Sequence, residues 1–552
     1  MGAAVNTTVL ASPRWAALGL CLLLPWLTPY AGGPSSWVQP WLLGAACTAL
    51  ALALSPAGRV APLLALVLAG VPAWAFLRSG LAPETLGLAA GCAIIAASAC
   101  VAAAGAQDAR FLRVLAGAWL AASLLSTLIA LGQYFGFTQG RIGWVSNAAL
   151  GEAYANLRQR NQFATLTSIG MATLLWFAPR SRHRLLPWLA GAVLAAGSAA
   201  TTSRTGLLQL LAIGALAVAW PGPRRERGLQ WSVMVLAYAA AAIALPLLLA
   251  AVGGSGTALW ERVASVNSCS SRRVLYSNVV HLIAQRPWLG WGWGELDYAH
   301  FMTLYPGPRF CDILDNAHDL PLHLAVELGL PLALAVCAAI AWGLWRGRPL
   351  AEADTARQMA WGVLLAIGLH SLVEYPLWYA PFQIAAGAAL GLLCARPGGQ
   401  AGGTERPLSP AAAVRVALGL AALAAAGFAA WDYQRVSQVY LAPEERQPQW
   451  REDPMAAARV SWLFGPQARF ADLTTTELTR ANAATQRTMA LDALHYSPEP
   501  RVALKAIEAD VMLGRNEEAL QLLQRLKAAF PKDYEDWREE NHKPLRGASA
   551  GD

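Results

Sequence analysis

The sequence predicts an all-α protein that crosses a membrane many times and ends in a small soluble helical domain. Three observations support this prediction. Of the 552 residues, 56% are hydrophobic and only 14% are charged. Apolar runs of about twenty residues, the length of a membrane-spanning helix, recur as far as residue 431. The remaining residues, 432–552, are polar and contain all the lysines.

The apolar runs are expected to be helices, because a chain in lipid must hydrogen-bond its own backbone groups. We count about thirteen such runs, and they are 14–30, 41–56, 60–77, 86–104, 112–135, 162–178, 186–201, 206–220, 230–252, 319–345, 358–374, 379–395 and 409–431. No small-x-small site follows the first run, so we favour a retained helix over a cleaved signal peptide. Residues 1–431 are therefore predicted to form a transmembrane domain.

Arginine clusters in alternate connections fix the orientation. Arg110 and Arg113, Arg224 and Arg225, and Arg346 illustrate the pattern. Short cytoplasmic loops carry such an excess, which places the N-terminus inside and the tail 432–552 outside. These loop arginines account for most of the net charge of +8, so the basic pI of about 9.2 does not indicate a nucleic-acid partner.

Three parts of the chain are not simple spans. They are the outward loop 136–161, the long outward loop 253–318 and the tail 432–552, in which two amphipathic segments between Val502 and Phe530 resemble a tetratricopeptide hairpin. Cys269 and Cys311 both lie in the long loop. In an oxidising compartment they either form a disulfide or stay free, and their spacing alone does not decide between the two.

Charged residues collect near the outer ends of the predicted helices, namely Arg158, Arg160, Arg204, Arg272 and His318. A charge at the edge of a bilayer costs free energy unless it binds something, so gathered guanidinium groups indicate an anionic ligand. Arg160 and Arg204 have a structural alternative as a helix cap or a lipid-headgroup contact, and His318 has one as a helix cap. Asp312, Asp315 and Asp319 match no metal-binding loop, and no metal site is expected.

Several short motifs resemble those of PglL-type protein O-oligosaccharyltransferases. The run Asn156–Ala164 carries the first, and the others follow in the family's order: Ser203–Gly206, Arg272 before Tyr276, Pro287–Gly294 and His370–Tyr379. The wider superfamily includes O-antigen ligases and O-antigen polymerases. The resemblance covers most of the chain. Two positions depart from the pattern, because Arg158 stands where glycine is expected and aspartate, not asparagine, follows His318.

The resemblance implies a GT-C-like membrane enzyme that transfers an oligosaccharide from undecaprenyl pyrophosphate to a hydroxyl of an exported protein, such as a pilin. It implies a bacterial inner-membrane location with the active site and the tail in the periplasm. No cofactor and no metal are expected, because arginine stays ionised and meets phosphate oxygens through a paired donor fork.

The resemblance and the chemistry together suggest roles for individual residues. Arg204 and Arg272 are expected to stabilise the departing pyrophosphate, and His318 is expected to accept the proton of the attacking hydroxyl. Arg160 is a third candidate contact. Further donor, glycan or acceptor contacts are expected at Arg158, Asn161, Gln162, Trp291, Trp293, Glu374 and Tyr375.

Other functions remain open from the sequence alone. The nearest is an O-antigen ligase that uses lipid A-core sugar as acceptor, followed by an O-antigen polymerase. A lipid-linked glycan transporter is less favoured, because transporters typically carry ionisable residues within the membrane, whereas here they collect at one face. A purely structural protein acting through its tail is the last alternative.

Overall fold

The computed structural model describes residues 13–29, 34–35, 37–138, 143–183, 185–251, 253–254, 269–395 and 409–542. Within these ranges the regular elements are α-helices and short 3-10 helices, with no strand among them. The predicted all-α fold class is therefore confirmed.

The N-terminal helices coincide with the predicted apolar runs and differ from them only at their ends. In chain order they are α1 (Pro13–Leu27), α2 (Val38–Leu54), α3 (Pro62–Ser79), α4 (Pro83–Gly105), α5 (Ala109–Tyr134), α6 (Arg160–Phe177), α7 (Leu185–Ala200), α8 (Arg204–Ala219) and α9 (Arg224–Ala251). Pro25, Pro72 and Pro246 lie inside α1, α3 and α9.

The second half continues with α10 (Arg272–Gln285), α11 (Leu296–Met302), α12 (Leu320–Leu328), α13 (Leu330–Gly347), α14 (Thr355–Ser371), α15 (Ala380–Cys394) and α16 (Pro410–Ser437). The tail holds α17 (Pro454–Arg459), α18 (Gly465–Thr475), α19 (Ala483–Leu494), α20 (Pro500–Met512), α21 (Asn516–Ala529) and α22 (Pro531–His542).

Length and composition support the membrane assignment. Among the described residues, six helical stretches are long and apolar enough to span a bilayer: α3, α4, α5, α9, and α13 and α16 with their short continuations. Five shorter apolar helices accompany them, namely α1, α2, α7, α8 and α15. The protein is a multi-pass membrane protein on this evidence.

One predicted span is wrong as a single helix. The run 319–345 is divided into α12 and α13 at Gly329, whose φ of 91° no helical residue adopts. Pro331 is the second residue of α13, in the first turn of a helix, where its missing N–H leaves no helical hydrogen bond unmade, so a new helix can begin here. The run also contains Glu327, which is only 1% exposed. The prediction of a purely apolar span did not take this carboxylate into account.

The predicted helical pair in the tail is confirmed as α20 and α21. A three-residue turn, Leu513–Arg515, separates them, and Gly514 takes the positive φ of 72° that such a turn requires. Their facing sides contribute buried apolar residues to one hydrophobic cluster, including Val502, Ala506 and Leu526.

The helices form two compact units that interleave along the chain. The first unit comprises Met1–Ala73, Leu86–Val266 and Val336–Ala430. The second comprises Trp74–Thr85, Asn267–Ala335 and Trp431–Asp552. The first has a core built from large side chains such as Trp119 and Phe163, which are fully buried. The predicted domain boundary between residues 431 and 432 remains a prediction.

Helix α12 and the segment before α11 pack backbone against backbone within the second unit. A Cβ on Gly329 would lie 2.2 Å from the carbonyl oxygen of Trp288, and a Cβ on Gly290 would lie 2.2 Å from that of Glu327. Both glycines have positive φ, 91° and 66°. A side chain at either position would therefore force two backbone segments apart.

We expect Gly329→Ala to lower the stability of the protein by about 1–3 kcal/mol through strain at this φ, with the steric contact adding to the loss. Gly343→Ala in α13 is the matched control, because a Cβ there meets nothing within 4 Å. It should leave stability unchanged or raise it by up to about 1 kcal/mol. Thermal unfolding in detergent measures both. Equal unfolding midpoints for the two variants would contradict this account of the break.

Candidate functional site

Arg272 is the first residue of α10 in the second unit. Ser271 caps the helix by accepting a hydrogen bond from the backbone N–H of Val274 at 3.5 Å. Arg272 is half-buried, whereas the neighbouring Arg273 is exposed. The guanidinium of Arg272 thus adds its charge to the positive end of a helix dipole, a combination that favours anions.

His318 lies in a tight turn before α12 and has the left-handed φ of 54°. Its backbone N–H donates to Oδ1 of Asn316 at 2.9 Å, and its ring Nδ1 lies 2.8 Å from the carbonyl oxygen of Asn316. A carbonyl can only accept, so the proton of the neutral ring must be on Nδ1. The lone pair of the imidazole is then on Nε2.

Burial of the ring and the nearby positive charge of Arg272 both favour the neutral form of His318. Burial, and to a smaller extent the positive charge of Arg272, together lower the pKa of His318 from 6.5 to about 4. The two residues are therefore close enough to interact electrostatically. The hydroxyl of Tyr276, on the first turns of α10, lies 3.5 Å from the carbonyl oxygen of His318 and also connects the helix to this turn.

The loop between α11 and α12 is tied to α10 at several points. Cys269, which lies three residues before Arg272, forms a disulfide with Cys311 of this loop, with a Cα–Cα distance of 5.5 Å. Asn278 donates to the carbonyl of Pro308 at 3.0 Å and accepts from the N–H of Phe310 at 2.8 Å. These links hold the loop that leads to His318 against the helix that carries Arg272.

The segment Pro287–Gly294 packs along the end of α12. The N–H of Trp291 donates to the carbonyl of Val326 at 2.9 Å. Its indole N–H donates to the carbonyl of Leu282 at 3.1 Å, and the guanidinium of Arg286 lies 4.0 Å from its ring centre. One face of the Trp291 ring is thus occupied, so it is positioned by the fold. Trp293 contacts the ring of His323 edge-to-face at 5.3 Å.

In the first unit, Arg158 occupies a backbone conformation that glycine favours. Its φ is 58° and its ψ is 10°, which explains why glycine is the expected residue at this position. The preceding Asn156 is buried and holds the loop. Its amide donates to the carbonyl of Leu27 at 2.7 Å, and its Oδ1 accepts from the N–H of Ser146 at 2.9 Å.

Asn161, on the first turn of α6, connects two other candidate segments of the first unit. Its Nδ2 donates to Oε1 of Glu374 at 3.3 Å, and its Oδ1 accepts from the hydroxyl of Ser203 at 2.7 Å. The adjacent Arg160 forms an ion pair with Glu152. The structure therefore brings Arg160, Asn161 and Glu374 together, with Asn161 as the link.

Arg204 is exposed at the first position of α8. Ser203 caps this helix by accepting from the N–H of Gly206 at 3.1 Å. Thr202 has a φ of 52°, a strained value for a β-branched residue, and such strain often occurs at functional sites. Ser203 is the same residue that donates to Asn161, so the start of α8 is fixed beside the start of α6.

The other candidates of the first unit differ in accessibility. Gln162 is only 3% exposed, and its backbone N–H is capped by the side chain of Gln159. Tyr375 is half-buried and stacks with Tyr379 at 6.1 Å. His370 is fully buried and its Nδ1 lies 2.9 Å from the hydroxyl of Thr165, as expected for an interior histidine.

Residues whose roles depend on long-range pairing were not identifiable from the sequence motifs. His323 and Glu327 are 2% and 1% exposed, and their side chains lie 3.3 Å apart. Gln133 on α5 holds the backbone of Ala155 through two hydrogen bonds. Only Glu327 gave a usable signal, because a carboxylate inside an apolar run indicates a functional or paired group.

Three segments of the chain match known protein families. Residues 153–178 match a family described as protein glycosylation ligase. Residues 189–337 match the family O-antigen ligase, and residues 358–543 match the C-terminal region of the virulence factor membrane-bound polymerases.

A curated relative points in the same direction. The general O-oligosaccharyltransferase of Acinetobacter baylyi is 24% identical to the chain over 285 residues. This match covers 50% of the chain and 49% of the relative, so about half the length of each protein is compared. The three family segments follow one another along the sequence, as the motifs do. Over these consecutive segments the chain is therefore similar to PglL-type protein glycosylation ligases and O-antigen ligases.

Proposed function

We propose that this protein transfers an oligosaccharide en bloc from undecaprenyl pyrophosphate to a serine or threonine hydroxyl of an exported protein, such as a pilin. The reaction would take place at the periplasmic face of a bacterial inner membrane and would need no metal. The observation that supports it best is the pairing of a neutral His318 with the cationic Arg272 at the start of α10.

The proposed reaction is a direct displacement. The acceptor oxygen attacks the anomeric carbon, the bond between that carbon and the phosphate oxygen breaks, and its electron pair leaves with the pyrophosphate. Nε2 of His318 accepts the hydroxyl proton, a role that suits the nitrogen carrying the lone pair. Arg272 stabilises the negative charge that builds on the leaving group. One displacement of this kind inverts the anomeric centre.

Arg204 and Arg160 are proposed as further contacts to the donor. Arg204 is suited to this role because it is exposed at a capped helix N-terminus. Arg160 would bind phosphate in exchange for, or together with, its partner Glu152. Arg158, Asn161, Gln162, Glu374 and Tyr375 are proposed to shape the surroundings of these arginines.

The acceptor class rests on two similarities. The match to protein glycosylation ligases covers residues 153–178, which include the Asn156–Ala164 run and the start of α6. The relative from Acinetobacter baylyi is named a general O-oligosaccharyltransferase. A lipid A-core acceptor is the second candidate, because residues 189–337 match O-antigen ligases.

Expression of the protein in a bacterium that carries a defined lipid-linked glycan separates these candidates. Mass spectrometry of periplasmic proteins should find the glycan on serine or threonine, and lipopolysaccharide should remain unchanged. Glycan on lipid A-core alone would assign the protein as an O-antigen ligase. Longer glycan on the carrier without transfer to either acceptor would assign it as a polymerase.

Arg272→Ala should reduce transfer by about 10²–10³-fold, the usual loss when one donor that stabilises a developing negative charge is removed. The matched control is Arg273→Ala, because Arg273 is the adjacent residue of the same helix but is exposed. It should change transfer by less than about threefold if surface charge contributes as little as at other exposed sites. Transfer assays on purified, membrane-inserted protein measure both. Similar losses in the two variants would argue against a specific role for Arg272.

His318→Asn should lower turnover by about 10²–10⁴-fold, the range for a general base, while donor binding is retained. Asparagine is chosen because it tolerates the left-handed backbone of this position better than alanine does. His318→Gly relaxes the turn completely and should be no more active. Turnover near the unmodified level in either variant would remove His318 from the reaction.

The pH dependence of transfer should reflect the low pKa of His318. The base must be neutral, and its pKa of about 4 keeps it neutral until the pH falls towards 4. We therefore expect kcat/KM to stay constant from pH 8 to about 5 and to fall below that. In the kcat profile the decline should begin at a higher pH, because bound pyrophosphate offsets the charge of Arg272. A decline of kcat/KM centred between pH 6 and 7 would contradict the assignment.

A further inference from the structure

We propose that His323 and Glu327 of α12 are positioning residues that hold the His318 turn in its reactive conformation. The proposal rests on the proposed function, since it concerns the base of that reaction. The pair lies in the second unit and was not among the residues singled out from the sequence motifs. It is built into the helix that immediately follows His318.

A series of hydrogen bonds runs from the backbone of Ala317 through the side chains of His323 and Glu327. The backbone N–H of Ala317 donates to Nδ1 of His323 at 3.4 Å. Nδ1 is then an acceptor, so the proton of the neutral ring is on Nε2, which lies 3.3 Å from Oε2 of Glu327. The same carboxylate oxygen accepts from the N–H of Gly294 at 3.0 Å.

This chain ends on the peptide next to His318. Ala317 is fully buried and directly precedes His318, and Asn316 on its other side fixes the His318 ring through its carbonyl. The left-handed conformation of His318 is unfavourable by itself and persists only where neighbouring groups determine it. His323 supplies one such restraint through Ala317, and the side chain of Asn316 supplies the other.

Stability alone does not explain a buried carboxylate at this place. Removing a carboxylate from water is expensive, and even a buried ion pair, which is more strongly attractive than a carboxylate beside a neutral imidazole, often contributes less to stability than a well-packed apolar pair would. The pair links three segments, because Glu327 contacts Gly294 and the ring of Trp293 lies edge-to-face on His323. It therefore connects the Pro287–Gly294 segment to the turn that carries the base.

Because the pair acts through His318, its loss should affect turnover and not donor binding. We expect Glu327→Ala to lower kcat by about 10²-fold, as a displacement of about 1 Å in a reacting group does, with an unchanged KM for the lipid-linked donor. Glu327→Gln should be much less affected, because an amide oxygen in the same place still accepts from Gly294 and His323.

The matched control is Glu295→Gln. Glu295 and His495 form another carboxylate–imidazole pair in the same unit, with a distance of 2.6 Å, but both side chains are partly exposed and neither belongs to the chain of hydrogen bonds described above. This control should keep its kcat. Loss of kcat in Glu295→Gln equal to that in Glu327→Ala would indicate a general effect on the unit and would overturn the proposal.

A double-mutant cycle separates this proposal from the proposed function. If Glu327 acts through His318, then Glu327→Ala added to His318→Asn should cause no further loss of residual transfer. Full additivity of the two losses would overturn the positioning role while leaving His318 as the base. If His318→Asn alone has no effect, the assignment of the base is wrong instead. Should Glu327→Ala fail to insert, His323→Gln tests the same chain from its other member.

Discussion

The electrostatic interaction between Arg272 and His318 is the constraint on which the account depends. Arg272 provides a half-buried positive charge at a helix N-terminus, and this charge together with burial keeps the nearby imidazole neutral. A neutral imidazole can accept a proton, and an arginine cannot lose one at physiological pH. One pair of residues thus offers both a base and a stable cation, which are the two requirements of a displacement that expels a pyrophosphate.

Backbone strain marks the same regions as the motifs. Within the described residues, the non-glycine positions with positive φ include Ala155, Arg158, Thr202 and His318. Each lies in or next to a segment that carries a proposed site residue. Hydrogen bonds hold these turns in place, from Gln133 to Ala155 and from Asn316 to His318. Tertiary hydrogen bonds therefore stabilise these strained turns and hold the proposed site residues near the N-termini of helices. The positive end of the helix dipole favours anions there.

The sequence predicts the spanning helices well because lipid imposes one simple rule, an apolar helix of about twenty residues. The prediction of one helix over 319–345 is wrong, because the overall apolar character of this run did not reveal the break at Gly329 or the buried carboxylate of Glu327. Motifs identified Arg272 and His318, but not what holds them. The links through Asn161 to Ser203 and Glu374, and through His323 to Ala317, join residues whose partners are set by packing and have no local sequence signal.

The most direct test of the central claim is an experimental structure of the protein in a lipid nanodisc with bound undecaprenyl pyrophosphate. We expect phosphate oxygens at about 2.7–2.9 Å from the guanidinium nitrogens of Arg272, the distance of a charge-assisted hydrogen bond. We also expect Nδ1 of His318 still to face the carbonyl of Asn316. A pyrophosphate bound outside hydrogen-bonding distance of Arg272 would contradict the account.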